Sequence, residues 1–117
     1  MTGLKLHQKK CIPCEGGEPP LTREQATKLL AELPDGWELA DDGKSITKEF
    51  QLQNFRQAID FINKAAKIAE AEGHHPDIHL HDWNKITLTH ATHAIRGLSE
   101  NDFILAAKIE KQVVPTL

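Results

Sequence analysis

The chain has 117 residues, 39% apolar and 26% charged, with Leu, Ile, Val and Phe making up about a quarter of it; this fits one globular domain around one hydrophobic core and excludes wholesale disorder. Fourteen Lys and Arg against seventeen Asp and Glu leave a formal charge of −3 with the signs interspersed, so the cationic footprint of a nucleic-acid binder is missing. No apolar run approaches the roughly 20 residues of a membrane span, and Met1-Thr2-Gly3-Leu4-Lys5 is unlike a signal peptide, which together predict a cytoplasmic protein acting away from membranes.

Residues 1–20 are predicted to form an extended N-terminal arm, because Pro13, Gly16, Gly17, Pro19 and Pro20 break helices and the segment has almost no periodic apolar signal. Residues 21–117 are predicted to be a single domain. Cys11 and Cys14 are the only cysteines, so no disulfide framework can hold the fold together.

Thr22 and Gln25 have capping-box spacing, and Ala26, Leu29, Leu30 and Leu33 form the apolar stripe of a first helix that Pro34 should end. After the turn dipeptide Asp35-Gly36, Trp37 to Ala40 alternates as a half-buried strand does. Following Asp41-Asp42-Gly43-Lys44, the run Ser45 to Leu52 places Ile46, Phe50 and Leu52 on one face, giving a hairpin. Asn54 caps the longest helix, whose predicted stripe is Phe55, Ile59, Ile62, Ala66 and Ala69, and Gly73 stops it. Two more strands follow, with Ile78 and Leu80 alternating with Asp77, His79 and His81, then Ile86 and Leu88 with Thr87 and Thr89. Ser99 and Asp102 have capping-box spacing before a last helix containing Phe103, Ala106, Ala107 and Ile109. The order α-β-β-α-β-β-α predicts the α+β class, with a four-stranded antiparallel sheet and three helices packed on one face.

Six of the seven histidines fall between His74 and His93. Imidazole titrates near neutrality and is also a common metal ligand, so acid/base catalysis and metal binding both follow. Strand parity makes His79 and His81 solvated surface residues and puts His90 against the core as a hydrogen-bonded side chain. His74 and His75 lie between a helix stop and Pro76, at a corner with a fixed backbone that can aim two imidazoles. Glu70 and Glu72 occupy the last helical turn, where the macrodipole disfavours carboxylates; a histidine partner would compensate Glu70.

The segments Glu70-Ala71-Glu72-Gly73-His74-His75-Pro76-Asp77-Ile78, Asn84-Lys85, Thr92-His93 and Gly97-Leu98-Ser99-Glu100-Asn101-Asp102 resemble, in order, the signature of the pterin-4a-carbinolamine dehydratase family. The resemblance spans about Leu21 to Glu110, and the Cys11 to Gly17 arm is similar to that of bacterial members. It implies the fold already predicted, a homodimer or homotetramer, and a pterin substrate bound among three histidines without metal or further cofactor. By the matching motif these are His74, His75 and His93, with Glu70, Pro76 and Thr92 as substrate-binding residues; for Asp102, helix capping is a sufficient role. The stretch Ile78 to Trp83 is one residue longer than in similar members, with Trp83 where tyrosine is common, which predicts a bulge or a longer turn.

The implied reaction removes water from a 4a-hydroxytetrahydropterin to give quinonoid dihydropterin in cofactor recycling, linked to a pterin-dependent aromatic amino acid hydroxylase. Protonating the hydroxyl and taking a proton from the ring nitrogen both suit imidazole. The expectation is that His74 and His93 transfer protons while His75 binds and orients the pterin. Two rival classes remain. One is a metal-binding protein using His74, His79, His81, His90 and His93, with Cys11 and Cys14, although a lone Cys-x-x-Cys before Gly-Gly is at best half a structural zinc site. The other is a non-enzymatic dimerisation partner, since vertebrate members of the family also serve a transcription factor in that way.

Overall fold

The computed structural model describes residues 3–13 and 16–116. Met1, Thr2, Cys14, Glu15 and Leu117 lie outside the described residues, and with them the expectations placed on Cys14 and on the first two residues. The elements are α1 (Arg23–Leu30), β1 (Glu38–Leu39), β2 (Ile46–Gln51), α2 (Phe55–Glu72), β3 (Asp77–His81), β4 (Lys85–His90) and α3 (Glu100–Gln112), with single 3-10 turns at Leu6–Gln8, His93–Ile95 and Val114–Thr116. This is the expected α-β-β-α-β-β-α order. All strand pairs are antiparallel, in the spatial order β1-β2-β4-β3, and the helices lie on one face. No helix among the described residues is long and apolar enough to cross a membrane.

The caps form where the sequence places them. The Thr22 side chain accepts from the Gln25 N–H while the Gln25 side chain accepts from the Thr22 N–H, and Asn54 accepts from the Gln57 N–H. Helix α1 stops at Leu30, short of Pro34, because turn bonds from Glu32 to Leu29 and from Leu33 to Leu30 tighten the chain first.

Helix α2 is rotated from the expected stripe. Its buried residues are Ala58, Phe61, Ala65 and Ala69, whereas Phe55 is 54% exposed and Ile59, Ile62 and Ala66 are only half-buried. The apolar arc of this helix is broader than one stripe, so packing selects the rotation: the Phe61 ring lies 5.0 Å from Phe50 of the sheet, and the alanines allow close approach to α3. On the sheet, Ile46, Phe50, Ile86 and Leu88 point into this core. Lys48 shares that face, its ammonium 4.8 Å from the centre of the Phe50 ring and 2.5 Å from Glu110, which also accepts from the Trp37 indole.

The β3–β4 register is regular from Asp77↔Thr89 to His81↔Lys85. Residues 82–84 therefore form the turn, and neither strand carries a bulge. Asp82 and Trp83 take left-handed backbone conformations (φ 49° and 57°), and buried Asn84 anchors the turn by exchanging bonds with Leu52, donating from its side chain and accepting at its backbone carbonyl.

Helix α3 is enclosed: every residue from Asn101 to Glu110 is buried. Part of its cover is the N-terminal arm, whose Leu6 joins the same core as the rest of the chain. Asn101 acts as a two-way clamp, accepting from the Ile12 N–H (2.9 Å) and donating to the Ile12 carbonyl (2.6 Å), and Lys108 reaches the His7 carbonyl.

His90 departs from expectation in one respect. It is fully buried against Trp37, 5.3 Å away between ring centroids, but neither ring nitrogen has a hydrogen-bond partner among the described residues. Burial pushes its pKa down to about 4, against an upward pull from Asp102 and with a smaller downward push from His74. An unfolded imidazole takes up a proton near pH 6.5 and the buried one resists until about 4, so falling pH across that window favours the unfolded state. Replacing His90 by Leu is expected to raise stability at pH 7 by ~1 kcal/mol or more. It should also flatten the stability profile between pH 6.5 and 4 by up to ~1.4 kcal/mol per pH unit. Urea unfolding at several pH values checks both, and an unchanged slope would mean that His90 is not the acid-sensitive group.

Candidate functional site

The site begins with the end of α2. Gly73 adopts the left-handed conformation (φ 67°), and its N–H bonds back to Ala69 and Glu70 while the His74 N–H reaches Ala69, the closing pattern of a Schellman turn. Pro76 then holds His75 extended. The corner is thus set from both sides, and adjacent side chains leave it in different directions.

His74 points inward. Its Nε2 lies 2.7 Å from Oδ1 of Asp102, whose side chain is completely buried. The other oxygen of Asp102 accepts from the Thr92 hydroxyl (2.7 Å) and from the Ser99 N–H (3.0 Å), and the Ser99 hydroxyl supports Thr92 at 2.8 Å. A buried carboxylate is tolerable only when donors replace its water; here they come from β4's extension, from the α3 cap and from the imidazole. With Asp102 accepting, His74 carries its proton on Nε2, which leaves Nδ1 as the proton-accepting nitrogen.

His75 points outward, its Nε2 2.6 Å from Glu70 in an exposed pair. This pairing compensates Glu70 at the unfavourable helix end. For Glu72, burial pushes the carboxyl up, but the Cys11 N–H at 2.9 Å and Lys108 at 3.5 Å outweigh it, and the carboxyl titrates below its usual range. Cys11 itself is half-buried, and burial together with the Glu72 charge pushes its thiol up to about 12. It is protonated at neutral pH and a poor nucleophile.

His93 opens the 3-10 turn after β4. Thr92 and Gly97 form an isolated bridge that pinches this loop, the Arg96 N–H returns to the His93 carbonyl, and the His93 side chain is exposed. His74, His75, Thr92 and His93 line one cleft of about 240 Å³ together with Ile12, Pro13 and Asn101. The three histidines expected to act together therefore share a cavity. Thr92 lines it too and also fixes Asp102. Glu70 and Pro76 do not line it: Glu70 bears on the cleft through His75, and Pro76 through the backbone of the corner.

The remaining histidines are elsewhere. His79 and His81 stack on each other (4.8 Å) on the outer face of the sheet, where His81 bonds Thr87 and lies 3.4 Å from Glu49; His90 is in the core. The metal set weighed from sequence is thus dispersed over the cleft, the core and the opposite sheet face. Among the described residues no three His, Cys, Asp or Glu side chains converge as metal ligands, and Cys14 is not among those residues.

Four contributors to the site, Asp102, Asn101, Ile12 and Pro13, escaped the sequence reading. Asp102 has a capping role that accounts for its position, which conceals its second role. Ile12 and Pro13 lie in the arm, with no periodicity to place them, and Asn101 is what brings them to the cleft.

A family model described as pterin 4 alpha carbinolamine dehydratase matches residues 19–112. A relative from Methylococcus capsulatus is 47% identical over 95% of this chain and 96% of its own length, and one from Rickettsia canadensis is 50% identical over 92% and 97%; both are provisionally named pterin-4-alpha-carbinolamine dehydratases. The crystal structure of a transcriptional coactivator/pterin dehydratase from Brucella Melitensis is similar with a TM-score of 0.72 and 34% identity, covering 79% of this chain and 96% of that one. A pterin dehydratase-like protein described as a RuBisCO assembly factor in the alpha-carboxysome shares the fold, with a TM-score of 0.56 and 21% identity over 65% of this chain and 87% of that one.

The geometry makes Asp102 the pivot of the cleft. Asp102→Asn is expected to turn an NH₂ group towards either His74 or the Thr92–Ser99 pair. The cost should be ~1–3 kcal/mol of stability from the mismatched bond. Whichever way the amide turns, the negative charge beside the imidazole is lost, so the His74 ring nitrogen shifts in ¹⁵N NMR should change; an unaltered His74 spectrum would mean that Asp102 serves only as the helix cap.

Proposed function

The chain belongs to the pterin 4 alpha carbinolamine dehydratase family, and we propose that it is a hydro-lyase removing water from 4a-hydroxytetrahydropterin by histidine acid/base catalysis, in the recycling of a tetrahydropterin cofactor. The observation that carries this reading is the shared cleft of His74, His75 and His93, with His74 held by the buried Asp102 carboxylate.

The chemistry needs two coordinated proton movements. Hydroxide is a poor leaving group, so a general acid gives a proton to the 4a-hydroxyl, the C4a–O bond breaks and water departs. The lone pair of the adjacent ring nitrogen forms the C4a=N bond, and that nitrogen's proton goes to a general base. Nothing is oxidised or reduced overall, and no nucleophile or Lewis acid is needed. The pterin is the substrate and the reaction calls for no further cofactor.

His74 suits the base. Its Nδ1 accepts while Asp102 stabilises the imidazolium that forms, as buried carboxylates do for catalytic histidines. His93, exposed at the mouth of the cleft, suits the acid because it can exchange protons with solvent between turnovers. His75, backed by Glu70, suits binding and orientation of the pterin ring.

Positioned acids and bases contribute ~10²–10⁴-fold each. His74→Ala and His93→Ala are therefore expected to slow dehydration by at least ~10-fold with native circular dichroism, chiefly in kcat, while His75→Ala should act mainly on KM. The loss of 4a-hydroxytetrahydropterin, followed by ultraviolet absorbance in stopped flow, measures this. Near-normal turnover in the His74 and His93 variants would remove the mechanism.

A further inference from the structure

A second cavity, of about 350 Å³, adjoins the cleft along Ala91, Thr92 and His93 and is completed by Lys44, Arg96 and Gly97. The cleft with the three histidines is smaller than the roughly 300–1,000 Å³ of ordinary ligand pockets, and the second lobe brings the whole site into that range. Because Ala91, Thr92 and His93 border both, a substituent on a flat bicyclic ring held in the cleft points past them to the second lobe.

The second lobe has a distinct electrostatic character. Lys44 and Arg96 are exposed, and among the described residues neither makes an ion pair and no carboxylate lines either lobe. The nearest acid in sequence, Asp42, accepts the backbone N–H of Lys44 at 2.9 Å, which fixes the turn that presents the lysine. Arg96 is held in the left-handed region at φ 55°, a conformation that costs a non-glycine residue about 1 kcal/mol or more and persists only where the surroundings impose it. Here they do: the Thr92–Gly97 bridge closes the loop on one side, and Gly97 is pressed against Pro20, where even a Cβ would lie 2.6 Å from the Pro20 ring. The pinched loop thus carries His93 at its start and Arg96 at its end.

Resting on the dehydratase reading, we propose that the preferred substrate is a pterin whose C6 substituent ends in an anion, with the ring among His74, His75 and His93 and the anionic end against Lys44 and Arg96. A phosphate monoester and a carboxylate share this chemistry. A bidentate guanidinium suits either, and the ammonium adds a second charge-assisted contact.

The test compares 7,8-dihydropterins with three C6 substituents: a neutral polyol, the same polyol as a terminal phosphate monoester, and a benzoylglutamate. Binding is measured by fluorescence titration at low and high ionic strength, and kcat and KM with the corresponding 4a-hydroxytetrahydropterins. The expected result is ~10-fold tighter binding and lower KM for an anionic tail, weakened by salt, with kcat unchanged. In Lys44→Gln and in Arg96→Asn, which keeps a residue tolerant of positive φ, the ratio between anionic and neutral tails should fall towards one. Preference for the phosphate ester alone, or for the carboxylates alone, supports the proposal and identifies the source of the charge. Turnover of all three tails with equal KM overturns this inference and leaves the dehydratase reading standing; failure to bind or turn over any of them overturns both.

Discussion

The fold and the cleft meet in one buried carboxylate. Asp102 sits at the start of α3 with no exposed surface, and its two oxygens are divided between structural donors and the His74 imidazole. An ionised carboxylate in such a place would cost several kcal/mol without partners. The need to satisfy it fixes the Thr92 rotamer, the Ser99 cap and the His74 ring relative to one another, so the same interaction that starts the helix also sets the proton-accepting geometry. Preorganisation of this kind is what acid/base catalysis requires, because the imidazole need not be reoriented when the substrate arrives.

The enclosure of α3 extends that constraint to the N-terminal arm. The helix is covered by sheet, by α1, by α2 and by the arm, and Asn101, one residue before Asp102, clamps Ile12 through both of its backbone groups. Glu72, at the end of α2, takes the Cys11 N–H and Lys108 together. Residues 11 and 12 are thereby tied to the end of α2 and the start of α3, the two elements that also position His74 and Asp102. The arm is a wall of the cleft because of where its polar backbone finds partners, with Leu6 buried in the core and Cys11 packed against it.

Much of this was legible in the sequence because it depends on local rules. Capping boxes at Thr22 and Ser99, the glycine stop at Gly73, strand parity through β3 and β4, and the Gly-His-His-Pro corner all act over a few residues. What was not legible depends on contacts between distant elements. The rotation of α2 is decided by Phe61 meeting Phe50, not by its own apolar arc; Lys48 faces inward because Glu110 lies across from it; the arm follows α3 because Asn101 holds it. Asp102 shows a further limit, since a residue with one sufficient local explanation gives no sign of a second task.

The six clustered histidines show how environment, rather than number, assigns chemistry. His79 and His81 share an outer sheet face, His75 has an exposed carboxylate, His93 faces the cleft mouth, and His74 has a buried one. His90 is the instructive exception: among the described residues its two buried nitrogens are unpaired, at a cost to stability of ~1–3 kcal/mol for such a group, and it feels the charge of Asp102. A protonated His90 would compete with His74 for that carboxylate and weaken its hold on the proton-accepting ring. Burial, by keeping His90 neutral across the physiological range, leaves the charge of Asp102 to His74 alone. The unsatisfied core histidine is therefore compatible with the site only while it stays dry.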